Sequence, residues 1–374
     1  MTPRSPHAPV PLLLLGFAIA LSPHRAIASE NVTLHALQRI LAESQGKHDA
    51  QIAKQLSRLE LTERLSSAEF KSLDQTTLGP GTRAALVALA DASEFLPPAP
   101  ADVLPQAPPD LNEQRRIIAS TIDYLGKTLP RLPDFSATRA TVRYAGGPSA
   151  AIQHDEGSWR AVGRSTAIVV YRDGKEVVNP SEWGKHSARH DAHHDVGALI
   201  TRGTFGPILS TVIIDASHGD TTWDRWERGD SSPIAVFRYR VPQNQSHYSV
   251  GFHAPSSSKG EAEQYTGYHG ELAIDPATGT ILRITVQADL PFGSPLLESD
   301  IMVEYGPVEI GGKSYTCPLR SVAISFIGSG LADEMSLSTQ YPDAVSLNDV
   351  TFSNYHLFRS DSRILTGDVP APNP

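Results

Sequence analysis

Apolar residues near the start of the chain recur at helical spacing. Leu34, Leu37 and Leu41 lie three and four residues apart, and similar spacing returns twice before residue 95. This period places apolar side chains along one side of a helix with 3.6 residues per turn. The pattern predicts three or four short helices that pack together as a small domain over residues 29–96.

A dense run of proline and alanine interrupts this pattern over residues 97–109. Proline cannot donate a helical hydrogen bond and favours extended backbone, so this run is predicted to be a linker. Asp110 and Glu113 then resemble the capping residues of a helix that ends near Lys127. The apolar face of that helix is predicted to consist of Ile118, Ile122, Leu125 and Leu129.

From about residue 137 the hydrophobic period changes from 3.6 to two. Apolar and polar residues alternate over 235–241, 282–289 and 301–305, which is typical of strands with one buried face. Residues 275–279 (DPATG) and the Gly311-Gly312 pair have the composition of tight turns. Strands joined by short turns predict an antiparallel meander.

These patterns together predict an α+β protein. A small N-terminal helical domain precedes an antiparallel β-meander, half-barrel-like, packed on the helix of residues 110–128 within a domain that spans 110–365. One face of the sheet is expected to cover the helix and the other to face water or a ligand. Residues 206–216 fit either a buried helix or a strand, and residues 366–374 are expected to be a disordered tail.

The first residues have the pattern of an export signal. A short positive region at Arg4 precedes an apolar run over 10–21, and Ala26-Ile27-Ala28 matches the small-x-small cleavage pattern. The run is shorter than the roughly 20 residues that span a bilayer, although a retained anchor is the alternative. We expect a signal peptide over 1–28, a periplasmic or secreted mature chain without a lipid anchor, and no membrane span after cleavage.

Charge and cysteine content narrow the function further. The formal net charge is −9, which disfavours nucleic-acid binding because that requires clustered positive charge. Cys317 is the single cysteine of the chain, so no internal disulfide forms and the fold depends on its apolar core.

Several phrases carry a resemblance to a group of uncharacterised exported bacterial proteins, over about residues 130–365. They include WDRWERG at 223–229, GYHGELAIDPATGTILRITVQADL at 267–290 and VEYGPVEIGGKSYTCP at 303–318. The recurring order of apolar strand, D-P-x-T-G turn and apolar strand also resembles the lipoprotein-carrier (LolA-like) fold. That resemblance implies an incomplete antiparallel barrel wrapped on a helix, with an apolar cavity.

A histidine-rich segment is the candidate metal site. His186, His190 and His194 are spaced by four, so a helix would place the three imidazoles on one side, where they suit zinc, copper or nickel. The alternative is a solvated loop, which Gly184 and Gly197 at its ends favour. No cofactor is expected unless a divalent metal binds here.

Trp223, Trp226 and His269 are the candidate ligand-binding residues. Regular alternation on a strand puts Trp226 with Asp224 on one face and Trp223 with Arg225 on the other. Tryptophan is frequent at binding surfaces and also in cores, and a strand histidine such as His269 is either a contact residue or structural.

The chain lacks the G-x-S-x-G, H-E-x-x-H and G-x-G-x-x-G motifs. Our preferred hypothesis is a non-enzymatic binding protein whose partner is a lipid or another hydrophobic small molecule, held in a cavity of the sheet. One alternative is an exported hydrolase, metal-assisted through the histidine-rich segment. Another is a structural envelope protein whose helical domain binds a partner.

Overall fold

The structure is a computed structural model that describes residues 30–74, 78–146, 159–177, 207–253, 261–294, 296–327 and 344–357. The predicted signal peptide, the histidine-rich segment with His186, His190 and His194, and the predicted C-terminal tail lie outside these residues. None of the helices in the described ranges is long and apolar enough to cross a membrane.

Six α-helices and fourteen β-strands make up the described chain. The helices are α1 (Leu34–Glu43), α2 (Asp49–Leu56), α3 (Ser67–Asp74), α4 (Pro80–Ala92), α5 (Leu111–Thr128) and α6 (Pro207–His218). The strands are β1 (Glu30–Val32), β2 (Leu59–Leu61), β3 (Phe135–Ala145), β4 (Arg160–Arg172), β5 (Lys175–Val177), β6 (Asp220–Glu227), β7 (Ile234–Val241), β8 (Ser249–His253), β9 (Glu261–Tyr265), β10 (Gly267–Ile274), β11 (Ile281–Asp289), β12 (Leu296–Ile310), β13 (Lys313–Ile327) and β14 (Ala344–Leu357).

Residues 30–96, called here the helical unit, contain α1 to α4 and the short parallel pair β1–β2. α1 begins at a capping residue, since the Thr33 side chain accepts a hydrogen bond from the amide of Ala36. Asp49 of α2 accepts from the amides of Gly81 and Thr82, which fastens α2 to the start of α4. The four helices confirm the helical prediction. The strands β1 and β2 were not predicted, because three residues are too few to show the alternation of apolar and polar positions.

A ten-stranded sheet follows, in the order β5-β4-β3-β14-β13-β12-β11-β10-β7-β6, and all its neighbours are antiparallel. The predicted turns lie between the predicted strands. Gly279 has a φ of 77° and closes the β10–β11 turn, and Gly311 and Gly312 both have positive φ between β12 and β13. The α+β class with an antiparallel meander is confirmed.

One face of the sheet is apolar and is covered by α5 and α6. Ile117 of α5 and Val212 of α6 lie in one buried cluster with strand residues such as Leu272. Packing of the sheet on the helix after Asp110 is confirmed, and residues 207–216 of the ambiguous segment belong to a helix. The buried side of α5 is rotated from the predicted face, because Ile117 is fully buried while Ile122 is 47% exposed.

The opposite face of the sheet is covered in part by the helical unit. Ala88 of α4 is buried in one cluster with Met302 and Val322, and Phe95 packs against that cluster. The expectation that this face would meet water or a ligand is therefore wrong for its centre. The physical reason is charge, because this face carries ionised side chains whose partners lie on the helical unit.

The proline-rich linker also contacts the sheet. The amide of Leu104 donates to the carbonyl of Trp226 at 3.0 Å, and the amide of Arg228 donates to the carbonyl of Asp102 at 2.8 Å. These bonds run along the outer edge of β6, which is the last strand of the sheet. The linker therefore satisfies backbone groups that an edge strand would otherwise expose.

Candidate functional site

An aromatic part of the apolar face lies beside α6. We call it the aromatic floor, and it consists of Trp223, Phe237, Tyr239, Tyr248 and Tyr268. The ring centroids of Tyr239 and Tyr268 are 5.8 Å apart, and those of Tyr248 and Tyr268 are 5.1 Å apart. Four buried residues of α6 complete this cluster: Ile208, Leu209, Val212 and Ala216.

A single carboxylate, Asp215, anchors α6 to its surroundings. Its side chain is fully buried and accepts from Tyr268 Oη at 2.9 Å, from the amide of His247 at 2.8 Å and from His247 Nδ1 at 2.6 Å. These bonds tie α6 to β10 and to the loop before β8. A buried carboxylate is tolerated only with such partners, so the position of α6 depends on them.

The hydroxyl groups of the floor remain protonated. Burial raises the pKa of Tyr268 above its usual range, and its hydrogen bond to Asp215 raises it further. Burial also raises the pKa of Tyr248 to about 12. Tyr239 Oη donates to the carbonyl of Thr285 at 2.6 Å. The floor is thus an apolar surface with a few neutral polar groups, a composition typical of small-molecule sites.

Trp223 and Trp226 lie together, contrary to the predicted alternation. The pairing register of β6 with β7 shifts between Trp223 and Arg225, so Asp224 is an extra residue in a β-bulge. The bulge brings the two indole centroids to 4.8 Å and leaves Asp224 beside Arg225. Trp226 Nε1 donates to the carbonyl of Ala107, which holds the linker. Both rings pack partly buried against the apolar cluster.

His269 lies on the other face of the sheet, because its neighbour Tyr268 on β10 belongs to the aromatic floor. Its Nδ1 is 2.8 Å from Asp289 Oδ1, and its side chain is half exposed. The three residues predicted to bind a ligand are therefore divided between two faces. Their role as ligand contacts stays a prediction.

Charged side chains form a buried network where the helical unit meets the sheet. This arginine–glutamate network consists of Arg64, Arg225, Glu227, Glu271 and Arg283. Arg64 is only 2% exposed and binds Glu227, which Arg283 also contacts at 3.0 Å. Burial alone would raise the pKa of Glu227, but Arg283 and Arg64 outweigh it and lower that pKa to about 2.

A second group of charges, the Arg320 cluster, lies nearby on the same face. Arg320 of β13 binds Asp91 and contacts Glu94 at 2.7 Å, both from the helical unit. It also lies 3.9 Å from Glu304 and 3.7 Å from Asp349. Burial raises the pKa values of Asp91 and Glu94, and the charge of Arg320 opposes that effect. Both groups of charges hold the helical unit on the sheet.

Sequence reasoning missed Asp215, His247 and Tyr268 as a group. One signal was available, since Asp215 is the single acidic residue in the mostly apolar segment PILSTVIIDASH. The network around Arg64 had no signal, because its partner Glu227 is 163 residues away in the chain. In the described part of the chain no group of three or more His, Cys, Asp or Glu side chains is placed to hold a metal ion.

Comparisons with known proteins give fold likeness only. No protein-family model and no curated protein matches the chain. The LolA superfamily protein NE2245 from Nitrosomonas europaea is similar in structure, with 11% identity, a TM-score of 0.27, and coverage of 66% of this chain and 98% of that chain. MucB is similar at 12% identity, with a TM-score of 0.21 and coverage of 63% and 92%. MucA/MucB of Pseudomonas aeruginosa also matches, at 13% identity, with a TM-score of 0.20 and coverage of 63% and 93%.

Proposed function

We propose that this chain is an exported, non-enzymatic binding protein that takes the acyl chain of a lipid onto the aromatic floor beside α6. The observation that carries the proposal is the pairing of an aromatic, apolar surface with one short covering helix. The few polar groups at the floor, the Tyr268 hydroxyl among them, provide orientation rather than a reaction.

Ligand entry would require α6 to move, because its own side chains fill the space over the floor. Val212 and Leu209 are buried there, so their displacement exposes apolar area that an acyl chain would cover again. The two covering helices differ in length and in the residues that hold them in place. α5 has 18 residues and a capping carboxylate at Asp110, whereas α6 has 12 residues and depends on Asp215. We therefore assign α6 as the lid.

The test uses 11-(dansylamino)undecanoic acid, whose fluorescence rises in an apolar site. We expect saturable binding at one site per chain and displacement by palmitate. Asp215→Asn weakens the bonds that hold α6 closed, so it should bind the probe about tenfold more tightly, since apparent affinity scales with the open fraction. Ser217→Ala is the matched control, because Ser217 is exposed and bonds only within α6.

Two results would overturn the proposal. If neither the wild-type chain nor Asp215→Asn binds the probe saturably, the chain has no acyl-chain site. Equal affinity of Asp215→Asn, Ser217→Ala and the wild-type chain, with unchanged circular dichroism, would place the ligand away from α6.

A further inference from the structure

His247 is an exposed histidine whose orientation is fixed by a buried carboxylate. Its backbone amide donates to Asp215 Oδ2 at 2.8 Å, and its Nδ1 lies 2.6 Å from Asp215 Oδ1. The side chain of His247 is 75% exposed, whereas that of Asp215 is fully buried. Because both bonds go to one carboxylate, they hold the backbone and the ring of His247 together. The imidazole is therefore preorganised at the surface.

The bond to Asp215 also decides which ring nitrogen of His247 faces outward. A carboxylate accepts hydrogen bonds, so Nδ1 carries a proton. Nε2 lies on the opposite side of the ring and points away from Asp215, toward solvent. In a neutral ring of this kind Nε2 accepts a hydrogen bond, whereas in an imidazolium ring it donates one.

His247 lies at the margin of the aromatic floor. The next residue, Tyr248, packs against the apolar cluster, and the hydroxyl of Tyr268 bonds to the same Asp215 at 2.9 Å. Asp215 belongs to α6, so the imidazole lies where the lid meets the floor. An amphiphile keeps its chain in an apolar site and its polar head near water. The head of an acyl chain on the floor would therefore lie close to Nε2.

The charges near His247 come from the elements packed around it, and the titratable and charged groups on these elements are Asp215, His218, Tyr248, Tyr268, Arg240 and Asp300. Burial raises the pKa values of the two tyrosines, which keeps them neutral. The ring of His218 is turned back onto α6, because its Nδ1 lies 2.8 Å from the carbonyl of Ile214. Arg240 and Asp300 lie on the opposite face of the sheet, since their neighbours Tyr239 and Ile301 belong to the apolar cluster.

We propose that His247 binds the carboxylate head of a fatty acid, an inference that rests on the acyl-chain binding proposed above. Nε2 would donate to the ligand carboxylate while Nδ1 donates to Asp215, so the ring carries a proton on each nitrogen between two carboxylates. Asp215 is a positioning residue that does not touch the ligand. A neutral ring must take a proton from solvent to make this contact, whereas an alcohol head requires none.

The test compares dodecanoate with 1-dodecanol, each displacing the uncharged probe 1-N-phenylnaphthylamine from the full chain. His247→Asn is the decisive variant, because its amide can donate to Asp215 as Nδ1 does but has no group at the position of Nε2. The ratio of dodecanoate to dodecanol affinity should fall about fivefold, which is the range of an exposed ion pair. His218→Asn, the control at the end of α6, should change this ratio less than twofold. Lid opening changes both affinities by the same factor and cancels in the ratio.

Proton uptake gives a second measurement, made on the wild-type chain. Calorimetry at pH 8 in two buffers with different ionisation enthalpies should show net proton uptake when dodecanoate binds, since a histidine ring ordinarily carries a single proton at that pH. Dodecanol should bind without uptake, and His247→Asn should abolish the uptake with dodecanoate. A variant that fails to fold therefore leaves the proposal open to refutation.

The outcomes separate this inference from the proposed function. If neither ligand displaces the probe, the acyl-chain site is refuted and the role of His247 with it. If both ligands displace the probe, an unchanged ratio in His247→Asn or an absence of proton uptake overturns the assignment of His247 alone. An equal fall of the ratio in His218→Asn would also overturn it, because the effect would then not depend on Nε2 of His247.

Discussion

At the residue scale, Arg64 is the side chain whose loss should cost the most. It is almost fully buried, and the carboxylates of Glu227 and Glu271 lie beside it. We expect Arg64→Met to lower the free energy of unfolding by about 3 kcal/mol, because it leaves buried negative charge with fewer partners. Urea unfolding followed by circular dichroism measures this loss.

Arg83→Met is the control for that substitution. Arg83 pairs with Asp74 on the surface, where removal of an ion pair typically costs less than about 1 kcal/mol. If Arg64→Met and Arg83→Met cost the same, the network around Arg64 contributes no more than a surface pair.

Asp300 should make stability depend on pH. Burial raises its pKa to about 7, Gln287 opposes the shift with a hydrogen bond, and Glu298 adds to it. Because the folded-state pKa exceeds the unfolded value of about 4, the folded chain binds this proton more tightly. The stability that Asp300 contributes is full below about pH 4 and is lost as the pH rises through about 7.

Asp300→Asn should therefore flatten the fall in stability between pH 5 and pH 8 and raise the free energy of unfolding at pH 8 by about 2 kcal/mol. Urea titrations at the two pH values measure both effects. Glu309→Gln, at an exposed position of the same strand, is the control and should show the same fall in the free energy of unfolding as the wild-type chain. An unchanged slope in Asp300→Asn would show that another group causes the dependence.

At the element scale, the β10–β11 turn is fixed against α5 by close backbone contact. A Cβ at Gly279 would lie 2.6 Å from the backbone of Ser120, whereas a Cβ at Gly312 would have nothing within 4 Å. Both glycines have nearly the same φ, 77° and 78°. Gly312→Ala should cost about 1–2 kcal/mol for the left-handed conformation alone, and Gly279→Ala about 1–3 kcal/mol more for overpacking.

Thermal or urea unfolding of the two variants gives the difference directly. Because the backbone conformation is matched, the excess loss in Gly279→Ala reports the packing of the turn on α5. Equal losses would mean that α5 moves away from the turn without cost.

Elements with local signals were predictable from the sequence, and those set by distant partners were not. The cap at Asp110 and the turn closed by Gly279 follow from a few adjacent residues, and the structure contains both. The bulge at Asp224 has no local signal, because it appears only when β6 is paired with β7. The candidate site was missed for the same reason, since Asp215 meets Tyr268 only through the tertiary fold.

At the scale of the whole molecule, the sheet is covered on both faces and along its β6 edge. α5 and α6 cover the apolar face, the helical unit covers the centre of the charged face, and the linker covers the β6 edge. The lid helix α6 is the part of this arrangement that the proposed ligand would displace.

The Arg320 cluster should help the helical unit and the sheet to unfold together. Among the described residues, Trp223 and Trp226 lie on β6 and Trp159 packs against the cluster that joins the sheet to α4. Fluorescence therefore reports mainly on the sheet and this contact, whereas circular dichroism at 222 nm also reports on the helices of the helical unit. In the wild-type chain the two signals should give one urea midpoint. Arg320→Met leaves Asp91 and Glu94 buried without their cation, which should loosen the helical unit and separate the midpoints.

The separation should grow with pH, because burial raises the pKa values of Asp91 and Glu94 and their protonated forms tolerate burial best. At low pH the two carboxyls are neutral and the variant should approach the single transition of the wild-type chain. Arg116→Met, which removes an exposed pair with Glu113 on α5, is the control and should keep one midpoint at every pH. Coincident signals in Arg320→Met at high pH would show that the arginine–glutamate network and the apolar contacts around Ala88 and Met302 hold the helical unit without the Arg320 cluster.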